Sequence, residues 1–146
     1  MKVLSERLKY LRTKHNLTQP EAGKIIGVQY RTYQKYEYNN TTPPVEALIQ
    51  FARYYQVSIA YLVGQSDKTT PNASYKLNAT LIQRLKILRL QRNLYQKDVA
   101  LQNNLPYKTY TKYELGERTP NIETLCKLAA FYGVSVDYLV GLDVAE

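Results

Sequence analysis

Residues 16–37 read NLTQPEAGKIIGVQYRTYQKYE, and residues 93–114 read NLYQKDVALQNNLPYKTYTKYE. Both open on Asn-Leu-x-Gln and both close on Tyr-x-Thr-Tyr-x-Lys-Tyr-Glu. In the closing segment Tyr33 and Tyr36 are three residues apart, as are Tyr110 and Tyr113, so each pair shares one face of a helix. The opposite face carries Tyr30, Arg31, Gln34 and Lys35 in the first stretch. In the second it carries Tyr107, Lys108, Thr111 and Lys112. Upstream, Thr18-Gln19-Pro20-Glu21 is a capping box: Thr caps, Glu three residues on reaches back, and Pro suits the first turn. The stretch therefore predicts a short helix to about Ile26, a tight turn at Gly27, and a further helix from Gln29 to Tyr38. The second stretch has Tyr95-Gln96-Lys97-Asp98 in place of the box and Asn104 in place of the glycine. Asn tolerates the left-handed conformation better than most residues, and Pro106 suits a helix start.

The similarity extends well beyond these stretches. With a shift of 77 residues, 7–64 lie on 84–141 without a gap, and 26 of the 58 positions are identical. Two copies of one domain follow. In the first copy Leu4, Leu8 and Leu11 mark an opening helix with Ser5 as its expected N-cap, ending near His15-Asn16. Pro43-Pro44 closes a polar loop. Val45, Leu48, Ala52 and Tyr55 form the inner face of a fourth helix, and Val57-Ser58 open a short fifth ending at Gly64. No segment alternates with period two, so strands are not expected. The fold class is all-α: two tandem five-helix domains at 1–66 and 80–146, joined by a linker at 67–79. Taken from Gln65 to about Ala79, a flexible linker of about 15 residues spans about 21–23 Å. Asn72-Ala73-Ser74 within it matches a glycosylation sequon, read as a chance match for want of a secretory signal.

The composition limits the function classes. Of 146 residues, 20 are Lys or Arg and 12 Asp or Glu, a formal charge of +8. The first copy is the more basic of the two. An excess of positive charge favours a polyanionic partner. One cysteine, Cys126, leaves no internal disulfide framework, and one histidine beside it leaves no ordinary zinc site. No apolar run approaches a membrane span, and the charged start (Met1 to Glu6) lacks the apolar core of a signal peptide. No nucleophile–base–acid set, phosphate-binding glycine loop or metal cluster is visible, so an enzyme is not expected and no cofactor is implied.

Leu17-Thr18-Gln19, Tyr36-Glu37, Tyr113-Glu114-Leu115-Gly116 and Gly133-Val134-Ser135-Val136-Asp137-Tyr138-Leu139 resemble the motifs of the lambda-repressor-like (Cro/cI, Xre) helix-turn-helix family. The resemblance covers about 116 residues. It departs from the family pattern at Tyr38-Asn39-Asn40, where a glycine is usual, and at Asn104. It implies that the third helix of each copy enters the major groove of double-stranded DNA while the second crosses the backbone. On this reading Arg31 suits guanine O6/N7, Gln34 adenine or a phosphate, and Tyr30 a thymine methyl or a phosphate. Gln29, Lys35, Tyr107, Lys108, Thr111 and Lys112 complete the reading faces. Gln19 and Gln96, at the starts of the second helices, would bond phosphates. Asn40 and Arg118 would touch phosphates from the following loop. The resemblance also implies a partly buried salt bridge in each copy, Arg12 to Glu37 and Arg89 to Glu114, that orients the third helix.

The function so implied is a sequence-specific transcriptional regulator, most simply a repressor, cytoplasmic and nucleoid-associated, encoded by a bacterium or phage. Two recognition helices in one chain imitate a dimer, with half-sites about 34–36 Å apart. Because the two outward sets differ, the expected site is an imperfect palindrome. A homodimer reading four half-sites fits the same residues, with Tyr61-Leu62-Val63 and Tyr138-Leu139-Val140 as its apolar surface. The alternative is a protein-binding module, antitoxin-like or an inhibitor from a mobile element, with one copy engaging a protein partner. Cys126 reads as a packed small hydrophobe and His15 as a partner of the first helix's C-terminal dipole. Many of the 15 tyrosines stand where the family usually has Leu, Ile or Phe; their hydroxyls are expected at domain edges.

Overall fold

The computed structural model describes residues 1–69 and 81–142. The linker beyond Thr69 and the sequon at 72–74 lie outside them. The chain divides into two compact units. The first holds α1 (Lys2–Lys14), α2 (Gln19–Ile25), α3 (Tyr30–Glu37), α4 (Val45–Tyr55) and α5 (Ile59–Leu62). The second holds α6 (Leu81–Gln91), α7 (Gln96–Gln102), α8 (Tyr107–Leu115), α9 (Ile122–Tyr132) and α10 (Val136–Leu139). Every regular element among the described residues is a helix, as the periodicity predicts.

The caps follow local chemistry. Thr18 Oγ1 accepts from Glu21 N–H and the Glu21 carboxylate accepts from Thr18 N–H, both at 3.3 Å, so the box is complete. In the second unit only the return half survives: Asp98 accepts from Tyr95 N–H at 2.8 Å. Ser58 and Ser135 cap the last helices, each accepting a backbone N–H at 2.9 Å. Ser5 is not a cap. The leucine stripe carries α1 back to Lys2, with Met1 at the N-cap. Ser5 is therefore buried inside the helix, where its hydroxyl donates to Tyr36 O at 2.7 Å. His15 closes α1, its Nδ1 at 2.9 Å from Leu11 O and its ring edge-on to Tyr55. The second unit places Arg92 there, over the Tyr132 ring at 5.0 Å.

Five turns in each unit take a left-handed residue, the last of them at Gly64 and Gly141. Asn16 and Asn93 serve the first, Gly27 and Asn104 the second, Asn39 and Gly116 the third, Gln56 and Gly133 the fourth. Asn104 takes φ 55°, so the turn before α8 survives the loss of glycine. Asn39 does the same work where the family's glycine is missing.

The expected stripes are buried in the first unit, Leu4, Leu8 and Leu11 on α1 and Val45, Leu48, Ala52 and Tyr55 on α4, joined by Phe51. Half-buried Cys126 sits on α9, where burial and Glu123 push its thiol up to about 11. One further expectation needs correcting. Tyr33, Tyr110 and Tyr132 are almost wholly buried, and the Tyr55 hydroxyl is buried too, so these tyrosines do not end at domain edges. They are tolerated because three of the four find polar partners inside the core. The apolar ends pack partly within each unit. Leu62 and Leu139 are fully buried and Val63 is 8% exposed, while Arg7 lies over Tyr61 at 4.2 Å and Arg84 over Tyr138 at 4.6 Å. Tyr61, Tyr138 and Val140 keep part of their surface exposed.

Candidate nucleic-acid interface

Burying the aromatic face of α3 turns its other face outward. Tyr33 and Tyr36 are buried, while Tyr30 is 44% exposed and Arg31 and Lys35 are exposed. The same argument holds for α8: Tyr110 and Tyr113 go in, Tyr107 is 55% exposed, and Lys108 and Lys112 lie outside. Gln29, Asn40 and Arg118 are exposed; Gln19, Gln34, Gln96 and Thr111 are part-buried. Among the described residues, Arg31, Lys35, Lys108 and Lys112 make no ion pair with the protein. Each unit thus presents two uncompensated cations and a tyrosine on one helix face. Such a face suits a polyanion.

Behind that face sits a buried carboxylate. Glu37, at the end of α3, has its side chain 1% exposed and is bonded by Arg12 from α1. Arg12 Nε and Nη2 both donate to it, the latter at 3.2 Å, and Nη1 donates to Leu17 O at 2.9 Å. The Tyr33 hydroxyl donates to Glu37 Oε1 at 2.7 Å and Gln19 Nε2 donates to Oε2 at 2.9 Å. Burial raises this carboxyl, but the bonds from Arg12, Tyr33 and Gln19 outweigh it and hold the group below its ordinary value. The Tyr33 phenol is pushed far above its own, by burial first and the bond to Glu37 second.

The network continues to the surface. Gln34 Nε2 donates to Gln19 Oε1 at 3.2 Å and also to the Tyr30 hydroxyl. Glu37, Gln19, Gln34 and Tyr30 therefore form one hydrogen-bonded line from core to outer face. The second unit keeps only its root. Arg89 grips Glu114 through Nε and Nη2 at 2.9–3.2 Å and bonds Leu94 O at 2.9 Å. The Tyr110 hydroxyl pairs with Tyr132 at 3.5 Å. Thr111 donates to its own helix, at Tyr107 O, 2.9 Å away, and lies 3.4 Å from Gln96 Oε1.

A helix-turn-helix family model matches the chain twice, at residues 8–62 and 85–139. This protein is a tandem member of the Cro/cI-like helix-turn-helix family. It is 35% identical over 71 residues to the uncharacterized HTH-type transcriptional regulator YobD of Bacillus subtilis, covering 49% of this chain and 63% of YobD. It is 42% identical over 57 residues to the cryptic phage CTXphi transcriptional repressor RstR of Vibrio cholerae, covering 39% of this chain and 51% of RstR. Against the HTH-type transcriptional regulator ImmR of B. subtilis it is 29% identical over 86 residues, 59% of this chain and 68% of ImmR. The chain thus spans about half to two-thirds of the curated relatives it matches. No solved structure gives a significant match. No helix among the described residues is long and apolar enough to cross a membrane.

Sequence reasoning missed one pair in this helix-turn-helix protein. Arg7 and Arg84 tie the first helix of each unit to its last. Arg7 donates to Tyr61 O, to Ser66 O at 2.8 Å and to Asp67 at 2.9 Å; Arg84 donates to Tyr138 O. The signal was present, since this arginine is identical in the two copies. It was lost because a cation at the start of a helix reads as surface. The same contacts extend the first unit past Gly64: Asp67 is held by Arg7, and Thr69 O accepts from Ser58 N–H at 2.9 Å.

Proposed function

We propose that this helix-turn-helix protein is a sequence-specific double-stranded DNA-binding transcriptional regulator, a repressor that occludes its site by inserting α3 and α8 into the major groove. The observation that carries the reading is the outward face of those two helices, with Arg31 and Lys35 on one and Lys108 and Lys112 on the other, all without protein counterions. Arg31 is the residue suited to a guanine edge, and the lysines are suited to phosphates or bases. Gln29, Asn40 and Arg118 flank the helices at phosphate-contacting positions. Gln19 spends one amide N–H on Glu37 and keeps the other for a phosphate. Gln96, whose Oε1 lies 3.4 Å from Thr111 Oγ1, keeps its amide NH2 for that role. The repressor named RstR and the regulators YobD and ImmR favour this reading over an antitoxin-like protein binder. The proposed domains are 1–66 and 80–146, with Asp67 and Thr69 bonded to the first.

The test is selection of bound sequences from a random duplex pool with the purified full chain, at two salt concentrations. Two related half-sites should be enriched, with affinity falling steeply as salt rises. Salt-sensitive binding without any motif would refute the specific regulator and turn attention to a protein partner.

A further inference from the structure

Gln34 is an unusual reader because its polarity is set from inside the protein. An amide side chain normally chooses which way round to face, since its oxygen and nitrogen have similar shapes. Here the choice is made by Glu37. The carboxylate can only accept, so Gln19 must turn its NH2 toward it, at 2.9 Å. Gln19 Oε1 then faces Gln34 and can only accept in turn, at 3.2 Å. Gln34 must therefore present its NH2 inward. The second N–H of that group goes to the Tyr30 hydroxyl. Both N–H groups of Gln34 are spent, and among the described residues no protein donor reaches Gln34 Oε1. That oxygen is not among the buried unpartnered atoms, so it stands open to solvent. The reverse orientation would set two amide oxygens against each other at hydrogen-bond distance.

We infer that Gln34 reads DNA as a hydrogen-bond acceptor only. The inference rests on the proposal that α3 enters the major groove. Its oxygen takes an exocyclic amino group, adenine N6 or cytosine N4, and opposes the carbonyl oxygens of guanine and thymine. This excludes the bidentate pairing of a glutamine with adenine, which needs a free amide N–H for N7. It also excludes a phosphate, which has no proton to give. Tyr30, accepting from Gln34, keeps its own hydroxyl proton to donate outward. The second unit has no counterpart: Thr111 donates to its own helix backbone, and Gln96 is not anchored to Glu114.

The experiment is sequence selection on the full chain with three proteins: wild type, Gln34→Ala and Gln19→Met. In the wild type, one strand position should enrich adenine and cytosine alike, each about tenfold over guanine and thymine, the worth of one hydrogen bond against an unpaired acceptor. Gln34→Ala should flatten that position and leave the rest of the motif. Gln19→Met cuts Gln34 from Glu37 and frees its amide to turn, so adenine should gain over cytosine. Enrichment of adenine alone by the wild type would overturn the inference. So would acceptance of guanine or thymine, or a motif that Gln34→Ala leaves unchanged. A pool with no motif at all would overturn the DNA-reading proposal itself, and this inference with it.

Discussion

Glu37 and Glu114 stand at the same position of the two units and share an arginine partner, yet they are wired differently beyond it. Glu37 is bonded by Arg12, Tyr33 and Gln19, and through Gln19 it reaches the outer face of α3. Glu114 is bonded by Arg89 through three contacts, while Tyr110 turns to Tyr132 and Gln96 is left to Thr111. The buried root has stayed the same and the surface wiring has changed. Energetics gives the reason. Removing one partner of a buried ion pair costs about 3–5 kcal/mol, whereas exposed polar contacts contribute about 1 kcal/mol or less. Two copies of one domain are therefore free to diverge at the reading face and constrained behind it. On the proposed reading the first unit would meet DNA with side chains already held, whereas the second would order them on binding, which weakens affinity.

The largest effect should come from removing the arginines. Arg12→Met and Arg89→Met should each destabilise their own unit by about 3–5 kcal/mol, read by urea unfolding of the full chain. The loss should be the greater for Arg89→Met, because Glu37 retains Tyr33 and Gln19 as donors. Equal losses would mean that those two bonds contribute nothing. Acid attacks the same pair. The folded Glu37 holds its proton less tightly than the unfolded chain, whose value is near 4.5. Its contribution is thus complete above that pH and disappears as the pH falls below it. Unfolding of the first unit, followed from pH 6 to pH 3 (about neutral to acid), should show this loss, and Glu37→Gln should remove that pH dependence.

At the surface the comparison is between an arginine and a lysine. Arg31→Ala should relax specificity at one base pair by about 1–3 kcal/mol. Lys108→Ala should instead weaken binding evenly across sequences and lower the salt slope by about one. Titrations against matched and mismatched duplexes separate these outcomes, and a sequence-specific loss from Lys108→Ala would assign it to a base. The smallest effect concerns the fourth turn, where Gln56 takes φ 53° and Gly133 φ 68°. Nothing lies within 4 Å of a Cβ added at Gly133, so the backbone alone decides the outcome. Gln56→Gly should stabilise the first unit by up to about 1 kcal/mol and Gly133→Gln should destabilise the second by a similar amount. Melting shifts of about 4–8 °C per kcal/mol make this measurable.

Much of the fold was legible because its signals are local. The leucine stripe of α1, the Thr18 box and the serine caps depend on residues three or four apart. So do the inward pairs Tyr33/Tyr36 and Tyr110/Tyr113 and the outward cations beside them. Ser5 was misread for an instructive reason: a serine near a helix start looks the same whether it caps that helix or bonds a carbonyl 31 residues away. The core tyrosines were misread in the same way. A phenol inside a hydrophobic stripe is stabilised by a polar partner, and for Tyr110 that partner is Tyr132, 22 residues away.

The sequence by itself determined the duplication, the helical class, the family and the face that each third helix turns outward. Periodicity, caps and a gap-free repeat are all properties of the chain read in order. Only the tertiary structure decided what that face can say. The orientation of Gln34 depends on Gln19, that of Gln19 on Glu37, and the burial of Glu37 on α1 packing against α3. Hydrogen-bond polarity passes through space from a buried charge, and no spacing along the chain carries it.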